Sequence, residues 1–421
     1  MQNNYPDYKA APHDKILCID MKSFYASIES IKRGIHPLKS YLAVVGDRKR
    51  NGSVVLAASS ALKEKYGIKT GNRLFEIPEK DEIIIAEANM QLYLDTSMQI
   101  TELFNSYLPL NAIHIYSIDE AWLNLNGTER KYGDSVSAAK KIKRDIWNEF
   151  SLPCSMGIAP NMFLSKAAMD IEGKKTGLCS WDYEDVPDKL WPLPLSKSWG
   201  IGKRTEKKLN DIGVYTIGEL AHLPLSYLEN KFGIIGNQLY YHAWGIDYSK
   251  LEGHYDDRPK NIGRGITLLR DYSEPEEIKT VIFNLAEEIA KRARKNNLNG
   301  RTVSLSIGYS KKENRGGFNR RSTSEKATNL TEDIYRTAAA IFEQYYQGQI
   351  VRKVSLSLGN FAEDEQNQLN LFKNNYKKIK INRVRDRLAE KMGRDVVYYA
   401  RNLSSGSVKN KIDSTIGGHK K

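Results

Sequence analysis

The sequence predicts an α+β chain with a ferredoxin-like βαββαβ unit near its N-terminus. Three stretches lead there. KILCID (15–20) is a short apolar run of the kind that forms a buried strand, and it ends on Asp20. NAIHIYSIDEAWLNLNG (111–127) alternates with period two on both sides of Ser117–Glu120, the pattern of a hairpin whose tip carries Asp119 and Glu120. CSMGIA (154–159) supplies a last strand, with helical spacing in the gaps between the three.

The elements follow in order. After Asp20, MKSFYASIESI sets Phe24, Ser27, Ile28 and Ile31 at helical spacing. YLAVVG (41–46) and SVVLAA (53–58) read as two strands joined by the basic turn 47–52, and ALKEKYGIKTG reads as a helix closing at Gly67. Residues 88–107 are helical in pattern, and a further helix spans about 134–150. Two acidic sites thus fall on adjacent strand ends. Pro187, Pro192 and Pro194 mark a boundary, after which LSKSWGIGKRTEKKLNDIG and LENKFGIIGNQLYYHAWG each place a glycine turn between helical stretches. LEGHYDDRPK (251–260) has linker composition. Beyond it, ITLLRDY, a helix over 274–297, RTVSLSIGYS, GGFNRRSTS, a helix over 329–347 and KVSLSLGNF form a second βαββαβ without residue-level repetition of the first.

The chain has 421 residues, 40% hydrophobic and 27% charged, enough for two or three domains of a soluble globular protein. It has no run of ~18 apolar residues to span a membrane, and MQNNYPDYKAAPHDK lacks the marks of a signal peptide. Cys18, Cys154 and Cys179 form no CxxC pair, so neither a disulfide framework nor a zinc site is expected, and a reducing cytoplasm fits. Residues 1–250 carry 31 Lys+Arg against 30 Asp+Glu, residues 261–361 carry 17 against 11, and residues 373–421 carry 14 against 4. The net charge of +13 is therefore concentrated in the C-terminal part, which points to a polyanion held there and chemistry done elsewhere.

Acidic residues on adjacent strand ends suit magnesium, which takes hard oxygen ligands and keeps phosphate oxygens and water as further partners. Two such ions ~4 Å apart stabilise the entering and leaving oxygens of an in-line displacement at phosphorus. Asp20 and Asp119 are suited to bridging both ions, with Glu120 completing one of them. Singly, a strand-end Asp is more often a cap or a surface charge; their meeting in one βαββαβ unit lifts the metal reading above that. In DMKSFYAS, Phe24 reads partly as a core aromatic, and Tyr25 as a rigid ring able to exclude a 2′-hydroxyl from a bound sugar. Lys166 follows the strand 154–159 and offers a point charge for phosphate oxygens, against a surface-lysine alternative. SWGIGKRTEKKLNDIG looks like a helix-hairpin-helix: Gly200 and Gly202 permit close backbone approach, and Lys203, Arg204, Lys207 and Lys208 crowd the helix that follows. The basic hairpin with Lys311, Lys312, Arg315, Arg320 and Arg321 suits a nucleic-acid backbone as well as a solvated edge. Gln368-Leu369-Asn370-Leu371-Phe372 is a short apolar plug between acidic and basic stretches, fit to dock in a partner's pocket.

Together, CIDMKSFYASIE, YSIDEAWLNL and MGIAPNMFLSKAA resemble the Y-family translesion DNA polymerases, nearest the UmuC-like branch and its Gram-positive UV-damage-repair relatives; the likeness covers roughly residues 14–362. The resemblance implies a right-hand polymerase: palm at 1–23 and 89–180, fingers at 24–88, helix-hairpin-helix thumb at 181–250, linker at 251–260, little finger at 261–361, and a clamp-binding segment with basic tail at 362–421. It implies Asp20, Asp119 and Glu120 as carboxylates for two magnesium ions, with the Met21 carbonyl as an added ligand. Tyr25 would be the steric gate, Ser23, Phe24, Tyr25, Ser60, Lys63 and Lys166 would line the nucleotide, and QLNLF resembles the bacterial sliding-clamp (β subunit) motif. The fingers helix departs from the family. Aligned from SVVLAASSALK, the usual aromatic and basic positions hold Ser60 and Lys63; aligned backwards from Tyr66-Gly67, the basic position becomes Glu64. Lys63 is favoured, with a weaker grip on that side.

The activity implied is low-fidelity, template-directed DNA synthesis across lesions from deoxynucleoside triphosphates, as part of SOS-type damage tolerance. No segment is left for a proofreading exonuclease. Primer-template DNA and the clamp are the implied partners, a recombinase or other accessory SOS proteins are candidates, and a monomer is expected. A non-catalytic DNA-binding repair factor on the same fold and a nucleotidyl cyclase on a similar palm are the rivals. The basic C-terminal part argues for a duplex substrate, which a cyclase does not need.

Overall fold

The computed structural model of the chain describes residues 6–251, 259–313, 316–363, 376–393, 396–416 and 419–420. It divides into two compact units, Met1–His254 with Lys420–Lys421, and Tyr255–His419.

In the first unit β1 (Ile16–Met21) is the middle strand. Ile16, Leu17, Cys18 and Ile19 are all at most 2% exposed, so the strand is apolar on both faces until Asp20, the first polar residue. Burying each large aliphatic contributes roughly 1.5–3 kcal/mol, which fixes the strand and thereby the height at which Asp20 emerges. The strand order is β5-β6-β1-β7-β8. β5 (Ile113–Ile115) and β6 (Glu120–Asn124) form the hairpin, β7 (Cys154–Ala159) lies on the other side of β1, and β8 (Leu178–Ser180) adds a parallel edge. The helices α1 (Phe24–Ile31), α3 (Met90–Tyr107), α4 (Ser135–Phe150) and α5 (Met162–Ala168) belong to this unit, and the Trp122 indole donates to the Met162 carbonyl at 3.0 Å. Between α1 and α3 a three-stranded sheet, β2 (Leu42–Val45), β3 (Val55–Ala58) and β4 (Ile84–Glu87), supports the short helix α2 (Ser60–Tyr66). Gly67 ends α2 at φ 69°, the left-handed position glycine takes without cost.

Four helices close the unit: α6 (Lys203–Asn210), α7 (Ile217–Ala221), α8 (Leu225–Phe232) and α9 (Ile234–Ala243). They pack on a core that includes Phe163, Leu164, Trp181, Leu209, Leu228 and Trp244.

The second unit has the element order read from the sequence: β9 (Asn261–Tyr272), α10 (Pro275–Lys295), β10 (Leu298–Tyr309), β11 (Gly317–Thr328), α11 (Thr331–Tyr345) and β12 (Val351–Glu363). Its sheet order, β11-β10-β12-β9, is not that of the first unit: the first strand stands at the edge instead of the middle. The same order of elements thus gives two different sheets.

Residues 373–421, read from the sequence as a basic tail, fold onto this unit over the described stretches between Tyr376 and Ile416. Asp386, on α12 (Tyr376–Met392), accepts two hydrogen bonds from the Arg294 guanidinium, at 2.6 and 3.1 Å. Val408 and Ile412 enter the core. The buried Glu287 carboxylate is met by Arg385 at 2.7 Å, the Asn402 amide at 2.9 Å and Lys409 at 3.5 Å. Removing those partners strands a buried charge, a loss of about 3–5 kcal/mol. A chain ended before Tyr376 is therefore expected to lose about 3 kcal/mol or more of second-unit stability in denaturant titration. An unchanged midpoint would mean that the C-terminal segment carries no weight there.

Candidate active site

The site begins with strand register. β1 runs antiparallel to both neighbours, and Asp20 stands opposite Glu120 on β6 and Ser155 on β7. Directly opposed antiparallel residues have Cα atoms about 4.5–5.5 Å apart and side chains on one face. The Met21 amide donates to the Asp119 carbonyl at 2.9 Å, extending the ladder by one rung. Asp20, Asp119 and Glu120, a hundred residues apart in sequence, are thereby held within two rungs of one another.

Each carboxylate has its own partner. Ser117 Oγ donates to Asp119 Oδ1 at 2.7 Å. Lys166 Nζ meets Glu120 Oε1 at 2.7 Å and Asp170 Oδ2 at 3.2 Å, and Lys174 Nζ meets Asp20 Oδ2 at 3.3 Å and Asp170 Oδ1 at 2.6 Å. The Cys18 thiol lies 3.7 Å from Glu120 Oε1. Burial pushes the Asp20 carboxyl up to about 6; Lys174 pulls it down, while the charges of Asp119 and Glu120 push it further up. Burial works against the Lys166 ammonium, but Glu120 and Asp170 outweigh it and its pKa is raised.

Lys174 and Asp170 were not found by sequence reasoning, although Lys166, Asp170 and Lys174 recur every four residues. They reach the site because α5 passes into a wide turn, Met169–Gly173, of the π type. Two glycines allow that turn to lie on β7. A Cβ on Gly157 would come within 2.4 Å of the Met169 amide and the Ser165 carbonyl, and one on Gly173 within 2.4 Å of the Met156 carbonyl.

Ser23, in the left-handed conformation at φ 49°, precedes α1. Phe24 is 2% exposed and packs inside; Tyr25 is partly exposed and stacks on Tyr93 with centroids 4.3 Å apart. Burial, and then the charge of Asp119, raise the Tyr25 pKa. Lys63, on α2, donates to Ser23 Oγ at 2.8 Å; Asp20 acts on its charge, and Glu64 is exposed. Ser60 is the first residue of α2.

The remaining expected residues lie elsewhere. Gly200 has φ 92°, and Gly202 caps α6 without a side-chain hydrogen bond, leaving the first amides of a helix that starts with Lys203 and Arg204 uncapped by any side chain. In the second unit Lys311 and Lys312 form a turn after β10. Arg320 and Arg321, adjacent on β11, point to opposite faces: Arg320 pairs with Leu305 and covers the Tyr345 ring at 4.9 Å, whereas Arg321 pairs with Ser304. Both are exposed, and β11 is an edge strand of its sheet. Arg315 and Gln368-Leu369-Asn370-Leu371-Phe372 lie outside the described residues.

Among the described residues no three His, Cys, Asp or Glu side chains already form a metal cage. The donor set nevertheless fits a hard divalent cation. It consists of partly buried carboxylates on neighbouring rungs of one sheet; burial first, and then the charges of Asp119 and Glu120, raise the Asp20 carboxyl, and bound positive charge would oppose both.

Comparison with known proteins places these features in context. Residues 19–170 match the impB/mucB/samB family and residues 259–371 its C-terminal domain. Residues 183–214 match the IMS family HHH motif, and residues 199–247 the thumb domain of DNA polymerase-iota. A Bacillus subtilis (strain 168) protein named for UV-damage repair, UvrX, is 48% identical over 98% of this chain and 99% of its own length. A protein of the same organism named DNA polymerase IV 2 is 36% identical over 96% and 98%, and DNA polymerase IV of Pelotomaculum thermopropionicum is 35% identical over 93% and 96%. A solved Y-family DNA polymerase chimera of Dbh and Dpo4 superposes with a TM-score of 0.68 at 20% identity, over 83% of this chain and 99% of that one, and shares its fold.

The raised Asp20 pKa carries a stability consequence. Between pH ~4 and pH ~6 the folded chain holds a proton that the unfolded chain releases, so this group costs stability as pH rises through that window. Asp20→Asn removes the cost: the variant is expected to be about 2 kcal/mol more stable than the parent near pH 7, with the gain vanishing near pH 4. Urea titrations at the two pH values measure this, and a gain independent of pH would contradict it.

Proposed function

Since the chain belongs to the impB/mucB/samB family of Y-family DNA polymerases, we propose that it extends a primer on a damaged template, adding deoxynucleotides by in-line displacement at the α-phosphorus. The observation that carries the reading is the pairing of Asp20 with Glu120 and the adjoining Asp119, three carboxylates gathered by one strand register beside the Tyr25 ring.

In this reading Asp20, Asp119 and Glu120, with the Met21 carbonyl, would hold divalent magnesium, which would supply positive charge to the primer hydroxyl and to the leaving oxygens. The chain's own groups do the rest. Tyr25 presents a rigid ring to the sugar and excludes a 2′-hydroxyl. Lys63, Lys166 and Lys174 supply ammonium charge for the triphosphate, and the latter two neutralise Glu120 and Asp20 in the free chain. Ser23 accepts a hydrogen bond from the Lys63 ammonium. The glycine turn ahead of α6 offers backbone amides to a DNA phosphate without reading its base. Lys311, Lys312 and Arg321 add backbone contacts in the second unit.

The first unit then comprises palm, fingers and thumb, and the second the little finger with its C-terminal strap. Docking of Gln368–Phe372 into a sliding clamp, a place in an SOS-type response and a cytoplasmic setting belong to the same reading and rest on the sequence. Clamp tethering would raise the effective concentration of a weakly processive enzyme at the primer end.

Primer extension with deoxynucleoside triphosphates and magnesium tests the reading. The parent chain is expected to extend a primer past a template lesion. Asp119→Ala is expected to lose roughly a thousandfold or more in rate, the several kcal/mol that a metal-held transition state represents. No synthesis by the parent chain would favour a DNA-binding repair factor without catalysis.

A further inference from the structure

We propose that Tyr93 is a positioning residue that fixes the plane of the Tyr25 ring and so sets how strictly the site rejects a ribonucleotide. This rests on Tyr25 being the sugar gate.

A gate that works by steric exclusion must not turn aside when a 2′-hydroxyl presses on it. Tyr25 is the second residue of α1 and only partly buried, so its own helix does not hold the ring. Phe24 is tilted 48° to it at 5.9 Å, a contact that leaves the plane free. Tyr93 is different. It comes from the first turn of α3, is 0% exposed, and lies flat against Tyr25, 13° from parallel with centroids 4.3 Å apart. Rotating Tyr25 would break that stack.

Tyr93 is itself tied down. Its hydroxyl donates to Glu29 Oε1 at 3.0 Å. Glu29 is 2% exposed, and its other oxygen is taken by the Arg33 guanidinium, from the turn just beyond α1. A buried carboxylate needs such partners, so the pair with Arg33 fixes the acceptor, the acceptor fixes Tyr93, and Tyr93 fixes Tyr25. The start of α3 is anchored as well, by the Asn89 side chain accepting from the Leu92 amide at 3.0 Å. An aromatic that merely filled the core would need neither the parallel stack on a half-open ring nor a buried acid for its hydroxyl. The chain Arg33, Glu29, Tyr93, Tyr25 begins in the turn just after α1, crosses to α3 and ends at the start of α1.

Single-nucleotide insertion on the full chain, comparing kcat/KM for a deoxynucleotide with that for the matching ribonucleotide, tests the proposal. Tyr93→Leu removes the stack and is expected to lower discrimination about tenfold, the scale of one aromatic pair, while deoxynucleotide insertion changes little. Tyr93→Phe keeps the packing and frees the ring from Glu29; discrimination is expected to fall about twofold to threefold, the scale of a single hydrogen bond. Tyr25→Ala is the control for the gate. If Tyr25→Ala collapses discrimination and Tyr93→Leu leaves it at the parental ratio, the positioning role is overturned. If Tyr25→Ala leaves discrimination intact, the gate reading itself fails. Should Tyr93→Leu not fold, Tyr93→Phe decides alone, and a parental ratio in that variant overturns the proposal.

Discussion

The antiparallel pairing of Asp20 with Glu120 is the constraint on which the rest of the first unit depends. It is set by a strand whose preceding four residues are buried on both faces, so β1 cannot slide without exposing Ile16, Leu17, Cys18 or Ile19. A slip by one residue would turn Asp20 to the opposite face and separate it from Glu120. Apolar packing thus fixes the position of charge, although none of the packed residues takes part in the chemistry.

Holding three carboxylates together costs free energy, and the chain meets that cost locally with lysines. Lys166 and Lys174 each touch one of the carboxylates and share Asp170, so the acidic cluster is embedded in an alternating set of charges. In a partly buried site such contacts act through a lower effective dielectric than at the surface. The wide turn at Met169–Gly173 is what brings Asp170 and Lys174 onto the site, and it rests on two glycines at close approach to β7. Charge balance at the acidic end is therefore tied to backbone packing on the far side of the strand.

Much of this was legible in the sequence, and the reasons differ by element. The strand at 154–159 and the helix at 134–150 declared themselves because both are long enough for period to show. β4 and β8 were not read as strands. The carboxylates were found because an Asp ending an apolar run and an Asp-Glu at a hairpin tip are local signals. Lys174, Tyr93 and Glu29 were missed because their contacts exist only across elements. The second sheet shows the limit most clearly: element order was right, but period cannot say which strands become neighbours, and β9 went to the edge. The C-terminal segment read as a tail because it is polar. Its anchors are hydrogen bonds to Asn284 and Glu287 and two aliphatic side chains, which composition does not reveal.

The central claim is that the three carboxylates converge on shared divalent ions at the end of β1. Anomalous scattering from manganese, in crystals of the chain with primer-template DNA and a non-reactive nucleotide, addresses it directly. The account predicts metal peaks between the side chains of Asp20, Asp119 and Glu120, against the triphosphate and beside Tyr25. Metal bound elsewhere, with those carboxylates still paired to Lys166 and Lys174, would contradict it.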